Sequence, residues 1–300
     1  MTRSENGTPD DAAKASAEKP WMAWLGRSQS MTDVFVADRA AALHAALDLD
    51  GPPPQIGDAL PPLWHWMYFW EPVAAHKLGR DGHPALGGFL PPVPLDRRMW
   101  AGSRISFHRP LRVGAEVERR STITAINEKT GRTGRLAFVT VKHEFFADGE
   151  PVLTDEHDIV YREPAQPGES RPAGVTSDLT PEAVRRENVF TPDPVLLFRY
   201  SALTLNGHRI HYDHPYATGV EGYAGLVVHG PLLATLMAAA AAEDGPLSHF
   251  EFRGRRPVIC GTPIRVAVAD DPDDAGRRQL RVIDHEGFVA SSAVATITPA

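Results

Sequence analysis

The sequence predicts an α+β protein made of two tandem copies of one helix-plus-antiparallel-sheet unit, and three observations carry that prediction. The later part of each half is dense in strand-like segments rich in β-branched and aromatic residues. A stretch with almost nothing to bury, EPAQPGESRPAGVTSDLTP at 163–181, divides the chain near its middle. Short echoes recur in the same order on either side of it. FHRPLRVG at 107–114 resembles FRGRRPVICG at 252–261, and DGEPV at 148–152 resembles HEGFV at 285–289. The expected organisation is a disordered tail at 1–21, a first unit at 22–163, a linker at 164–181 and a second unit at 182–300.

Taken in order, residues 22–49 place apolar side chains at helical spacing, and Gly51-Pro52-Pro53-Pro54 ends that helix. LWHWMYFWEPVAAHKLG at 63–79 reads as a buried helix interrupted near Pro72, its aromatic residues serving the core. From Ser103 the period changes to that of strands, with a hairpin turn at 129–134. In the second half a helix from Pro231 to about Glu243 precedes three further strand segments.

Composition excludes several function classes. A net charge of −7 over 300 residues argues against nucleic-acid binding, which needs a basic surface to displace counterions from phosphates. No apolar run reaches the ~18–20 residues of a membrane span. The first twenty residues hold Glu5, Asp10, Asp11 and Glu18 against a single arginine, Arg3, so they read as neither a secretory signal nor a mitochondrial transit peptide. The lone Cys260 cannot form an intramolecular disulfide and reads as a buried strand thiol in a reducing compartment. A cytoplasmic protein is expected.

The chemistry concentrates between Tyr200 and Ala234. Asn206, His208, His211, Asp213 and His214 fall within nine residues, and an apolar run at 226–228 leads into His229-Gly230-Pro231 and a helix. Histidine suits proton transfer near neutral pH, and a helix start offers free N–H groups to a developing negative charge. Such a pair can add water to, or remove it from, a carbon next to a thioester carbonyl. The histidines at 208, 211 and 214 drift off one helix face and alternate on a strand, so no metal site is expected. Asp213 reads as a backbone cap rather than a base. Arg98, Arg253, Arg255 and Arg256 are candidates for phosphates or a substrate carboxylate, because guanidinium matches both bidentately.

The run Thr204-Leu205-Asn206-Gly207-His208-Arg209-Ile210-His211 resembles the signature of the MaoC-type (R)-specific enoyl-CoA hydratases, serine-glycine-aspartate-x-asparagine-proline-aliphatic-histidine. The resemblance implies a double hot-dog, two tandem folds in each of which a curved antiparallel sheet wraps a long helix. It places His211 on the catalytic histidine and Gly230 on the oxyanion-hole glycine. Asn206 stands where that family has aspartate, and asparagine cannot take a proton. The chain as a whole resembles a fused subgroup with this change, which takes in mesaconyl-C4-CoA (3-methylfumaryl-CoA), itaconyl-CoA and 3-hydroxyacyl thioester enzymes; RRMWAG at 97–102 and DIVYRE at 158–163 carry it. The resemblance implies a reversible acyl-CoA hydratase without cofactor, acting on a short branched or dicarboxylic enoyl-CoA. Asn206, His211 and Gly230 would be catalytic, with Arg98, His229, Arg253, Arg255 and Arg256 on the substrate and the first unit non-catalytic, shaping the acyl pocket. A fatty-acid-type dehydratase, an itaconyl-CoA hydratase and a non-catalytic acyl-CoA-binding module remain alternatives. A monomer and a homodimer are both open.

Overall fold

The computed structural model describes residues 19–95, 97–131, 134–163 and 174–298. Among these residues ten strands form one antiparallel sheet in the order β1-β3-β4-β5-β2-β7-β10-β9-β8-β6. In the first half these are β1 (Ser28–Val34), β2 (Arg97–Phe107), β3 (Glu116–Gly131), β4 (Gly134–Ala147) and β5 (Glu150–Arg162). In the second they are β6 (Val184–Phe190), β7 (Leu247–Gly254), β8 (Ile264–Asp270), β9 (Arg277–Ile283) and β10 (Val289–Ile297). The order is a palindrome: 1-3-4-5-2 is answered by 7-10-9-8-6. That symmetry is what a duplicated unit produces, and the seam is the antiparallel pairing of β2 with β7, Ser103 opposite Phe252.

Among the described residues three α-helices accompany the sheet: α1 (Ala37–Ala46), α2 (Pro194–Thr204) and α3 (Gly230–Ala242). Asp193 caps α2, its carboxylate accepting the Leu196 N–H at 2.7 Å, and Pro194 occupies the first turn, where its missing N–H costs nothing. The central helix α3, GPLLATLMAAAAA, is buried nearly all round and packs against β7–β10. Its alanines let the sheet close tightly: Ala234, Ala238 and Ala241 have no exposed surface.

The first half departs from expectation. The segment read as one helix over 22–49 is strand β1 followed by helix α1. The segment at 63–79 is a short 3-10 turn (Trp64–Met67), then extended chain and a second turn at Ala75–Lys77. Prolines at 61, 62 and 72 and left-handed backbone at Leu63 and Phe69 prevent a long helix there. Only the second half therefore has a long central helix among the described residues. Of the tract's aromatic residues Trp64, Tyr68 and Phe69 are buried in the core, whereas Trp66 is half-buried and lines the cavity and Trp70 is exposed, against the expectation. Cys260 lies in a turn, half-buried, with its thiol on the Pro192 carbonyl, and not in a strand. The linker segment 164–173 and the tail at 1–18 lie outside the described residues. No helix among those described is long and apolar enough to cross a membrane.

Replacing Ala238 with leucine should overpack the helix–sheet contact. A loss of about 1–3 kcal/mol is expected, read as a lower thermal midpoint with the same far-ultraviolet spectrum.

Candidate active site

Helix α2 ends at Thr204, Leu205 turns into the left-handed region, and the Asn206 N–H closes on the Ser201 carbonyl at 2.9 Å. The amide oxygen of Asn206 then accepts the His208 N–H at 3.0 Å. This short-range bond fixes the side chain and leaves its NH2 as the group still able to donate. A 3-10 turn at Arg209–His211 follows, and its last residue is the candidate base.

His211 is held from two sides. Its Nδ1 lies 2.7 Å from the carbonyl oxygen of Val227. A carbonyl can only accept, so Nδ1 carries the hydrogen and Nε2 keeps a lone pair. The ring stacks on His229, centroids 3.6 Å apart. Burial lowers His211 to about 3, offset in part by the Val227 bond. The neutral tautomer with a free Nε2 is thus the resting state across the neutral range. His211 and Asn206 both line a cavity of about 1050 Å³.

Gly230 begins α3 and lines the same cavity. A Cβ built there would meet the Trp100 ring at 3.0 Å, so the indole presses on the backbone at this point. The first N–H groups of a helix have no partner in the helix, and its dipole is positive at this end. Pro231 fixes the first turn. Trp100 reaches this place through a β-bulge in β2, where the register with β5 shifts between Trp100 and Gly102.

The first half contributes a loop that sequence reasoning missed. Gly82 and Gly207 cross at backbone contact: a Cβ on Gly82, whose φ is +89°, would lie 2.0 Å from the Gly207 carbonyl oxygen. The Arg209 N–H donates to the Asp81 carbonyl at 2.8 Å across the same junction. This places His83 against His208, rings 4.5 Å apart, with the Asp81 carboxylate 3.4 Å from His83. Burial would raise Asp81, but His83 and then Arg98 more than offset it and hold the carboxyl at about 2. His208 is lowered to about 3, first by burial and then by His83. Asp81, His83 and His208 bring three ligand atoms within 4.8 Å of one another. The Arg98 guanidinium, 3.8 Å from the Asp81 carboxylate, already supplies positive charge there. The one sequence sign of this loop was its glycine-rich RDGHPALGG composition, which fits any turn.

The other expected residues are placed as follows. Arg98, Arg255 and Arg256 line the cavity. Arg256 is committed to Asp284 and Glu286, whereas Arg255 donates to the Ser292 hydroxyl. Arg253 does not line the cavity; it pairs with Glu251 on the exposed side of β7. His229, expected on the substrate, has no exposed surface and does not line the cavity; its Nε2 meets the Ser201 hydroxyl at 2.8 Å. It supports His211 from behind. Asp213 is a cap: its carboxylate accepts the Tyr216 N–H and the Arg209 guanidinium. His214 is exposed and far from forming a ligand set with its neighbours.

Residues 63–260 match the family described as hydroxyacyl-thioester dehydratase type 2. This chain belongs to that family. It is accordingly a hydro-lyase of acyl thioesters. It is 44% identical over 277 residues to a mesaconyl-C(4)-CoA hydratase of Chloroflexus aurantiacus, covering 91% of this chain and 96% of that one. It is 27% identical over 237 residues to a mitochondrial hydroxyacyl-thioester dehydratase type 2 of Schizosaccharomyces pombe, covering 71% and 78%. Among solved structures, a MaoC-like dehydratase from Phytophthora capsici aligns over 92% of this chain and 97% of its own, with a TM-score of 0.65 at 14% identity. HtdX from Mycobacterium tuberculosis aligns over 90% and 99%, with a TM-score of 0.62 at 16% identity. A further M. tuberculosis structure described as a double hotdog fold aligns over 91% and 96%, at 14% identity and a TM-score of 0.53. The double hot-dog architecture is thereby shown.

Burial holds His65, His143, His208, His211 and His229 below the ordinary histidine value of 6.5. The unfolded chain then binds more protons, so stability should fall as pH drops below about 6.5. A thermal midpoint that is flat from pH 7.5 to 5 would contradict this. Gly82→Ala should force the two loops apart and cut turnover at least tenfold, because Asn206 and His208 ride on the displaced junction.

Proposed function

We propose that the protein reversibly adds water across the double bond of a short branched dicarboxylic enoyl-CoA of the mesaconyl-C4-CoA type. The reading rests on one observation above all. A histidine with its tautomer fixed and Nε2 free shares a cavity with the bare N-terminus of a buried helix. The identity to the Chloroflexus enzyme supports the substrate class. In this reading the thioester oxygen sits at the Gly230 N–H, where the helix end stabilises the enolate as water adds to the β-carbon. His211 Nε2 takes the proton of the attacking water and returns it to the α-carbon, on the same face. The NH2 of Asn206 orients that water by donating to its oxygen. Asparagine thus serves as a fixed donor where the MaoC signature has an acid.

Coenzyme A would lie along Lys77 and Arg255, cations that line the cavity and have no ion pair among the described residues. A cytoplasmic setting is part of the same reading, supported by the single cysteine.

Absorbance of the conjugated thioester should fall when purified protein meets mesaconyl-C4-CoA, and His211→Ala should slow this by about 10²–10⁴-fold while the melting curve stays cooperative. A variant with near-normal turnover would remove His211 from the mechanism. Arg255→Ala should raise KM several-fold with kcat unchanged, the signature of lost binding that is equal in ground and transition states.

A further inference from the structure

The first half was expected to shape the acyl pocket without the catalytic pair, and its inner face holds a buried polar cluster that the mechanism above does not use. Asp155 on β5 has no exposed surface. One carboxylate oxygen accepts from His157 Nε2 at 2.7 Å, Trp66 Nε1 at 2.8 Å and His65 Nε2 at 3.3 Å. The other oxygen, Oδ1, has no partner among the described residues. The sheet register explains how the cluster forms. Ser121, His143 and Asp155 stand opposite one another on β3, β4 and β5, so their side chains share the inward face. His157 and Arg119 lie two residues along from members of that row and share the face. His143 Nδ1 is 2.7 Å from the Ser121 hydroxyl, and its ring meets His157 edge-on at 4.7 Å. Arg119 pairs with Glu71, but its Nε is buried without a partner. In the second half the corresponding interior of β9 and β10 is mostly apolar, with Leu280, Val282, Ala293 and Ala295 buried and Ser291 a buried polar residue of the same row.

All of these groups except Ser121 line the same cavity as His211 and Gly230. Trp100 joins the two ends. Its ring touches Gly230 on one side and stands 6.0 Å from the His157 ring and 5.4 Å from Trp66 on the other. A C4 acyl group spans roughly 4–5 Å from its thioester carbon to a terminal carboxylate by ordinary bond lengths.

We propose that Asp155, His65, His143, His157 and Arg119 form the receiving site for a carboxylate at the far end of the acyl group, bound together with one proton. The inference rests on the dicarboxylic reading above and assigns it to residues. The free Nε–H of Arg119 donates to the incoming oxygens, joined by the Nε2–H of His143 when its Nδ1 accepts from the Ser121 hydroxyl, while His157 and His65 keep donating to Asp155. A proton supplied from solvent sits between the substrate carboxyl and Asp155 Oδ1 or on an imidazole, so the site takes up no net charge. Without it a second carboxylate beside Asp155 would be repelled in a cavity of apolar walls. A plain alkyl end would instead leave these groups desolvated and unpaired, which disfavours long fatty chains. The charged and titratable groups facing the cluster are His65 from the 3-10 turn, Glu71 from the chain after it, Arg119 on β3, His143 on β4, and Asp155, His157 and the Arg104-paired Asp158 on β5.

The test compares mesaconyl-C4-CoA with crotonyl-CoA, which lacks the second carboxylate, in the wild type and in His157→Gln and Arg119→Met. His157→Gln keeps a donor for Asp155 while removing the proton-binding ring, so it should fold normally. The ratio of kcat/KM between the two substrates should fall about 10–100-fold, mostly through KM for the dicarboxylic one, as expected for a lost hydrogen bond to a charged group. In the wild type, KM for mesaconyl-C4-CoA should rise up to tenfold per pH unit above neutrality, while KM for crotonyl-CoA stays level. An unchanged ratio in both variants, or a pH-independent KM, overturns the assignment and leaves the dicarboxylic reading standing. Wild-type protein that hydrates crotonyl-CoA and ignores mesaconyl-C4-CoA overturns both.

Discussion

The pairing of β2 with β7 is the constraint on which the rest of the molecule depends. It joins two five-stranded halves into one sheet, and the approach is so close that a Cβ on Gly102 would lie 2.2 Å from the Phe252 carbonyl oxygen. The bulge beside that glycine turns Trp100 inward, against Gly230 in the other half. The helix end that would hold an oxyanion is therefore roofed by a residue of the opposite unit. Neither half carries a complete site alone.

The two halves have diverged by losing and keeping the central helix. In the second half α3 fills the sheet's concavity with small apolar residues, and its N-terminal end, open to the cavity, is the place proposed to hold the oxyanion. In the first half prolines break the corresponding tract, and the sheet's concavity stays open as the cavity wall. A broken helix is thus what makes room for an acyl group. The space is not uniformly greasy. Tryptophans 66 and 100 divide a histidine and helix terminus at one end from a carboxylate–histidine cluster at the other. Buried ionisable groups are costly unless paired, so such a cluster persists where the pocket contents complete it.

Histidine is used here in its neutral form. His211 and His229 stack, each oriented by one hydrogen bond from behind, to Val227 and Ser201. A charge on either ring would sit against its stacked, buried neighbour. That arrangement keeps a lone pair on His211 Nε2 at neutral pH, at the expense of basicity. The rate would then depend on the helix terminus stabilising the enolate, since a weak base removes little of the barrier by itself.

What the sequence determined by itself was everything encoded locally. The turn that carries Asn206 to His211 and the His229-Gly230-Pro231 helix start depend on a few consecutive residues whose capping and turn chemistry is short-range, and the helix begins where the sequence put it. The duplication was also legible, because repeats leave echoes in order. The aromatic tract at 63–70 had the composition of a core, and Trp64, Tyr68 and Phe69 went there, while Trp66 lines the cavity, Trp70 is exposed and the helical pattern yielded to proline and left-handed backbone. Tertiary structure alone decided which residues meet. Asp155, His143 and Ser121 are more than ten residues apart in the chain and join only through strand register. Asp81 and His83 reach His208 only because two glycines let separate loops cross. His229 and Arg253 looked equivalent to true pocket residues in the sequence, but one faces Ser201 and the other solvent. Side-chain direction along a strand or helix start is set by what packs behind it, and a linear pattern of residue types does not contain that partner.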